Sequence, residues 1–328
     1  MNNDGAEAIR SLLRPYPSVQ LVVKPTPIRA LERLSARLGR RPRVWIMRDD
    51  LSGFALGGNK IRKLEYLAGE ALAKGANTLV VSNASSFSRN AAAVGRAFGF
   101  AVHVLITGDE AGHNALSRAF FATMDANLHY IADREQLPVE QRHLADALRA
   151  RGRYVVELHP GGSDTVGTLG YVEAFAEIAA FMAREGIVFD RIFHATGSAA
   201  TQAGLVLGQA ISRHDQVRVV GVAVSQPADV QTKRVVDLAS TTADVLGIAF
   251  DPSSVIVDDR YLGDGYPIPS PASRTAVDLF AKEEGLLFDP IYVGKAAAAL
   301  LGQARAGELD DTANVLLIHT GGNAGAYY

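Results

Sequence analysis

Lys60 is the first residue with chemistry in reach. It stands in the run Gly57-Gly58-Asn59-Lys60, just ahead of an apolar-periodic stretch, "KLEYLAGEALAK" (63–74), that Gly75 stops. Two glycines and an asparagine are turn chemistry, so the amine sits at the mouth of a helix. A helix N-terminus and nearby cations lower a lysine's pKa, which suits a Schiff-base amine. The plain alternative is an exposed surface lysine, the commonest kind. A second stretch, Thr196-Gly197-Ser198-Ala199-Ala200-Thr201, lies between a strand-like "RIFHAT" (191–196) and a helix-like "ATQAGLVLGQAIS" (200–212). Small residues admit a ligand close to the backbone, and successive N–H groups at a helix start form an anion site suited to phosphate. The stretch is neither a Walker A sequence nor a clean GxGxxG, and tight strand-to-helix packing explains it equally well on its own.

Other chemistries find little support. The chain has no cysteine, which removes disulfides, thiolate metal sites and catalytic thiols. No His/Asp/Glu grouping has metal-ligand spacing, so no metal is expected. No G-x-S-x-G elbow occurs for a Ser-His-Asp hydrolase. His159, His194 and His319 read as satisfied histidines near strand ends. Formal net charge is -2, and the densest basic run, "RLGRRPR" (37–43), reads as a solvated loop, so nucleic acid is not an expected partner. No apolar run of membrane-spanning length is evident, and the N-terminus lacks a basic segment followed by an apolar one. The expectation is a cytoplasmic protein with no membrane partner.

These residues need elements to position them. With 328 residues, 48% hydrophobic and 21% charged, the chain can bury one large or two smaller cores. Short β-branched runs alternate with Ala/Leu-rich helical stretches: "TLVVS" (78–82) before "RNAAAVGRAFG" (89–99), "AVHVLIT" (101–107) before "NALSRAFFATM" (114–124), then 191–196 before 200–212. "VRVVGVAV" (217–224) and "NVLLIHT" (314–320) look like buried strands. Continuous apolar strands separated by helices predict mainly parallel sheets covered on both faces. The expected class is α/β, as two three-layer α/β/α domains of unequal size. Residues 1–50 plus 155–328 form the larger and residues 51–154 the smaller. Ligands in such sheets sit beyond the carboxyl ends of the strands, where both chemical stretches fall.

A phosphate cradle together with a Schiff-base lysine points to pyridoxal phosphate. The chain resembles the fold type II (tryptophan synthase beta-like) pyridoxal phosphate enzymes. Within them it is most similar to the family of 1-aminocyclopropane-1-carboxylate deaminases and D-cysteine desulfhydrases. Seven ordered segments carry the resemblance: "PTPIRALERLSARLG" (25–39), "RDDLSGFALGGNKIRKLEYL" (48–67), "PGGSDTVGTLGYVEA" (160–174), "TGSAATQAGL" (196–205), "GDGYPIPS" (263–270), "LFDPIYVGKA" (287–296) and "IHTGGNAGAY" (318–327). The resemblance implies that Lys60 forms the Schiff base, preceded by Asn59, and that Thr196 and Gly197 to Thr201 hold the phosphate. It implies that Thr320 lies near the pyridine nitrogen and that Tyr266 and Tyr292 lie over the substrate. It further implies a homodimer with the site between the smaller and larger layers.

The segment "TLVVSNASSFSRNAAA" (78–93) departs from the family pattern. Aligned on the following helix, Ser85 falls at the family's catalytic serine, Ser86 at its asparagine and Phe87 at its histidine or glutamine, in a shorter loop. Asn83 could take over the contact to the cofactor's ring hydroxyl, and Phe87 would present an apolar surface to the substrate. Some of Ser82, Ser85, Ser86 and Ser88 cap the helix, Ser86 or Ser88 foremost. Val293 stands where the deaminases carry a glutamate beside the pyridine ring, and with "RDDL" (48–51) it favours the desulfhydrase side. The implied activity is α,β-elimination on a small amino acid, giving a 2-oxo acid and ammonia. Three alternatives stay open: a β-replacement synthase, a non-catalytic ligand-binding homologue, and a nicotinamide dehydrogenase, which lacks its acidic residue after a true GxGxxG.

Overall fold

The computed structural model describes residues 3–39, 42–109 and 115–322, apart from the side chain of Leu116. Ten strands occur among them: β1 (Ile28–Ala30), β2 (Arg43–Arg48), β3 (Thr78–Ser82), β4 (Ala101–Thr107), β5 (Asn127–Ile131), β6 (Val155–Leu158), β7 (Arg191–Thr196), β8 (Arg218–Ala223), β9 (Ile256–Asp258) and β10 (Asn314–His319). They form a six-stranded sheet in the order β1-β2-β10-β7-β8-β9 and a four-stranded sheet in the order β5-β4-β3-β6. All pairings are parallel except β1 with β2. The runs at 78–82, 101–107 and 191–196 are strands with the bounds read from sequence, because an unbroken β-branched run between turn residues has few other solutions.

The helices are α1 (Asp4–Leu13), α2 (Glu32–Arg37), α3 (Asn59–Ala73), α4 (Ser86–Phe98), α5 (Ala115–Thr123), α6 (Leu137–Ala150), α7 (Thr165–Glu185), α8 (Ala200–Ile211), α9 (Ala228–Leu246), α10 (Pro271–Glu284) and α11 (Val293–Arg305). Both sheets are covered on two faces. In β7, Ile192 packs into the core shared with α1, α7, α8 and α9, while its neighbour Phe193 packs into the core shared with α10 and α11. That is the period-two alternation of a strand buried on both sides. The four-stranded sheet packs one face on α3 and α4 and the other on α6.

Three expectations change. Val155–Leu158 pairs with β3 in the smaller sheet, so the chain crosses back after Leu158, not before Val155. Helix α3 begins at Asn59, with Gly58 as its N-cap, and Lys60 therefore lies in the first turn. The helical stretch Pro160–Glu185, most of it α7, is long and apolar enough to cross a membrane by length and composition, contrary to the sequence reading. Here 78% of that apolar window is buried inside the protein.

Helix α7 is the element that brings the two chemical stretches together. A Cβ on its Gly170 would come within 2.3 Å of the Arg62 carbonyl on α3. A Cβ on Gly204 of α8 would come within 2.5 Å of Tyr171 Cβ on α7. Only glycine permits both approaches. The lysine helix and the helix that starts at the anion cradle are thus both docked closely on one buried helix.

Candidate active site

The site is a cavity of about 1550 Å³ between the two sheets, at the carboxyl ends of β3, β7 and β10. Asn59, Lys60, Asn83, Ser85, Ser86, Thr196, Gly197, Ser198, Ala199, Thr201, Tyr266, Tyr292 and Thr320 all line it. Ala200 is buried in the first turn of α8, directly behind the cradle.

Gly58 adopts φ +87°, and a Cβ there would lie 2.7 Å from the Thr320 carbonyl. That carbonyl accepts the Asn59 N–H at 2.9 Å. The Asn59 side chain donates from Nδ2 to Thr201 Oγ1 at 3.1 Å. The turn before Lys60 is therefore fastened both to the end of β10 and to the anion cradle, and Asn59 does more than shape a turn.

Burial drives the Lys60 amine down to about 8 from 10.5, while a hydrogen bond with Lys63 acts the other way. The sequence reading credited the helix end and nearby cations; desolvation is the main cause. Lys63, one turn on, is fully buried, and its Nζ donates to the Gly161 carbonyl at 3.2 Å. Burial, then the charge of Lys60, holds Lys63 well below the usual lysine range against the pull of Asp164. A Cβ on Gly161 would sit 2.8 Å from Ser198 Oγ and 3.8 Å from Lys60 Nζ. One buried and one partly buried amine thus converge on the cradle, with no carboxylate among the described residues bonded to either. Sequence reading missed Lys63, although its spacing of three from Lys60 puts both on one helix face.

In the cradle, Ala199 takes φ +77°, which turns the backbone so that the start of α8 faces the cavity. The Ala200 N–H donates to Ser163 Oγ at 3.1 Å, so Ser163, from the "PGGSD" segment, also reaches the cradle. Thr196 Oγ1 accepts from Gln231 Nε2 at 3.1 Å. These groups fit pyridoxal phosphate. Backbone N–H groups at the start of a twelve-residue helix and the Lys63 ammonium suit its phosphate. A lysine held near pKa 8 suits its aldehyde. Thr320, buried at the end of β10, offers a neutral hydroxyl to its ring.

The loop after β3 departs from two expectations. Ser85 is the N-cap of α4: its Oγ accepts the Ser88 N–H at 3.4 Å, and Ser88 Oγ accepts the Ser85 N–H at 2.9 Å. The cap is this reciprocal serine pair, whereas Ser86, in the first turn, is exposed. Phe87 also lines the cavity, but its ring is buried and packs mainly in the core of the smaller sheet, where a Cβ on Gly162 would touch it at 2.8 Å. Asn83 holds φ +72° and donates its N–H to the Leu105 carbonyl at 2.8 Å, at the cavity edge.

Tyr292 Oη donates to Tyr266 Oη at 3.0 Å across the mouth, with the rings edge-to-face at 5.9 Å. Burial first, then Tyr266, raises the Tyr292 hydroxyl far above the ordinary phenol range. Both buried histidines are neutral: burial lowers His194 and His319 to about 4. His319 donates from Nε2 to the Leu287 carbonyl and accepts the Gly321 N–H at Nδ1, a satisfied histidine. His194 donates from Nδ1 to the Ala195 carbonyl, but its buried Nε2 has no partner among the described residues, so the expectation of a satisfied histidine holds only in part there; His159 is exposed. Among the described residues no group of three or more potential ligands could hold a metal ion.

Comparison with known proteins agrees with this geometry. The model of a family described as "Pyridoxal-phosphate dependent enzyme" matches residues 19–321. A D-cysteine desulfhydrase of Yersinia enterocolitica is 37% identical over 319 residues, covering 94% of this chain and 95% of that protein. A Pyrococcus furiosus protein provisionally named 1-aminocyclopropane-1-carboxylate deaminase is 35% identical over 325 residues, covering 98% and 96%. The solved structure of a 1-aminocyclopropane-1-carboxylate deaminase homologue superposes with a TM-score of 0.86 at 34% identity, over 97% of this chain and 95% of that one.

Proposed function

Because the chain belongs to the fold type II pyridoxal-phosphate dependent enzymes, in the family of 1-aminocyclopropane-1-carboxylate deaminases and D-cysteine desulfhydrases, we propose that it eliminates a β-substituent from a small amino acid such as D-cysteine. One water is consumed, and the products are a 2-oxo acid, ammonia and the released substituent with its proton, hydrogen sulfide in the case of D-cysteine. The observation that carries this reading is Lys60: a partly buried amine at the cavity wall, held near pKa 8, on a turn tied to the anion cradle by Asn59.

Pyridoxal phosphate, when bound, supplies the sink for the electron pair left at the substrate's α-carbon. The chain's own residues do the rest. Residues 197–201 and Lys63 bind the phosphate. Asn83 and Thr320 line the cavity; Asn83 would hold the ring hydroxyl, and Thr320 would leave the ring nitrogen without an anionic partner. The Ser86 and Phe87 N–H groups, which the ladder of α4 leaves free, take the substrate carboxylate. Lys60 Nζ, with a pKa close to ambient pH, accepts the α-proton as the β-substituent leaves and can hand a proton on to the β-carbon of the product. The Tyr266–Tyr292 pair holds a proton at the cavity mouth for the departing group. Val293 in place of an acid beside the ring supports elimination over cyclopropane opening, which needs the stronger sink.

The test is direct. The purified protein is expected to be yellow, and borohydride should fix the cofactor on the peptide containing Lys60. Lys60→Ala should bind cofactor without the imine band. Both enantiomers of cysteine and serine are then assayed for pyruvate, with and without an added thiol. Pyruvate formed without an acceptor supports elimination, and a spectrum that responds to no amino acid sinks it. A homodimer and a cytoplasmic location belong to the same proposal. The family resemblance supports the first, which sedimentation would check, and a chain without cysteine suits a reducing compartment.

A further inference from the structure

Lys295 is a buried cation for which the reaction above has no use. Its side chain has no exposed surface. It lies in the first turn of α11, the end of a helix where the macrodipole disfavours a positive charge. Its Nζ bonds to no carboxylate; it donates to the Leu262 carbonyl at 2.8 Å and the Gly265 carbonyl at 3.0 Å. Burial lowers its pKa, with Asp264 and Asp289 acting against that. A methionine of similar shape would fill the space at less cost, so the position is explained by what the two bonds do.

Those bonds close a turn that has little stiffness of its own. Gly263 and Gly265 both take positive φ, 63° and 97°, and the next residue is Tyr266. On the other side, Asp289 Oδ1 accepts the N–H groups of Ile291 and Tyr292, and Oδ2 accepts that of Val293. The short stretch from Asp289 to Lys295 therefore braces both members of the tyrosine pair, one by a carboxylate on backbone donors and the other by an ammonium on backbone acceptors.

We propose that Lys295 is a positioning residue for the proposed reaction: through the carbonyls of Leu262 and Gly265 it holds Tyr266 where the Tyr292 hydroxyl can donate to it. The inference rests on the tyrosine role given above. The charged and titratable groups facing the pair are Tyr266 and Asp289 around Tyr292, and Asp264 and Asp289 around Lys295.

The experiment uses the cofactor-loaded enzyme carrying [13Cζ]tyrosine, with the two resonances assigned from Tyr266→Phe and Tyr292→Phe. In the parent, Tyr292 should resist ionisation well past the ordinary phenol range. In Lys295→Met it should ionise nearer the ordinary value. Lys295→Gln, whose shorter amide reaches one carbonyl of the two, should fall between them. With D-cysteine, kcat in Lys295→Met should drop about tenfold or more, as displaced catalytic groups do, while KM stays within about twofold. If Lys295→Met does not fold, the Lys295→Gln titration decides alone. A Tyr292 titration unchanged from the parent in every folded variant overturns the proposal. Should the parent make no pyruvate from D-cysteine, the elimination reading falls, and the tyrosine titration still judges Lys295.

Discussion

A partly buried lysine with no carboxylate bonded to it among the described residues is a local instability that the cofactor relieves. Lys60 has a folded pKa of about 8 against 10.5 when exposed. The unfolded chain therefore binds the proton more tightly, and the cofactor-free protein loses stability as pH falls from 10.5 towards 8. Below about 8 the loss is complete, on the order of 3 kcal/mol at about 1.36 kcal/mol per pKa unit. Lys60→Met removes the amine. Cofactor-free Lys60→Met should be the more stable protein at neutral pH, and its advantage should shrink steadily above pH 8. Urea titrations of both proteins across that range measure it, and an advantage independent of pH would contradict a depressed amine. This residue was legible in the sequence because its turn is local. Lys63 was not: nothing within a few residues says that it is buried, and a charged side chain reads as exposed by default.

At the scale of elements, α4 shows how a family alignment and a helix cap compete for one serine. Ser85 aligns with a catalytic position, yet its hydroxyl and that of Ser88 close a capping box on each other's N–H groups. Ser85→Ala should cost about 1 kcal/mol of stability, and Ser85→Gly only a few tenths. Both should show as a lower denaturation midpoint at unchanged slope. If Ser85 acts mainly as a cap, Ser85→Gly should also retain most of the pyruvate-forming rate. A Gly variant as stable as the parent but inactive would restore the serine to the chemistry. The strands at 78–82, 101–107 and 191–196 were readable because alternation and turn residues are local signals. The start of α4 was not: the sequence favoured Ser86 or Ser88 as the cap, and the backbone begins the helix after Ser85, with Ser88 as its reciprocal partner. Phe87 was placed at the substrate by alignment alone, and no local signal tells that most of its ring is spent on the core of the smaller sheet.

Over the whole molecule, the smaller sheet and its lysine helix are fastened to the larger body by a buried ionic cluster on Arg62. Its Nε donates to Asp49 Oδ1 at 2.8 Å and its Nη1 to Glu177 Oε1 at 2.7 Å, while Nη2 reaches Thr26 Oγ1. Tyr171 donates to the other oxygen of Asp49. Asp49 follows β2 of the larger sheet, Glu177 lies on α7, and Arg62 lies two residues after Lys60. Partners more than a hundred residues apart, Arg62 and Glu177 among them, leave no trace in a local pattern, so this joint could not be read from the sequence. Arg62→Met should cost about 3–5 kcal/mol, because two buried carboxylates lose their cation. Burial pushes Asp49 up even now, whereas Arg62 and the Thr26 N–H hold Glu177 below its usual value against burial. In Arg62→Met both carboxyls should rise above their unfolded values. The folded variant then binds more protons than its unfolded chain, and it gains stability as pH falls through that raised range. The deficit relative to the parent should accordingly narrow between about pH 7 and pH 5, and denaturant midpoints at the two ends measure it. A deficit that widens in acid would mean that the carboxylates stay ionised without Arg62. The joint would then be held by packing around α7, and not by charge.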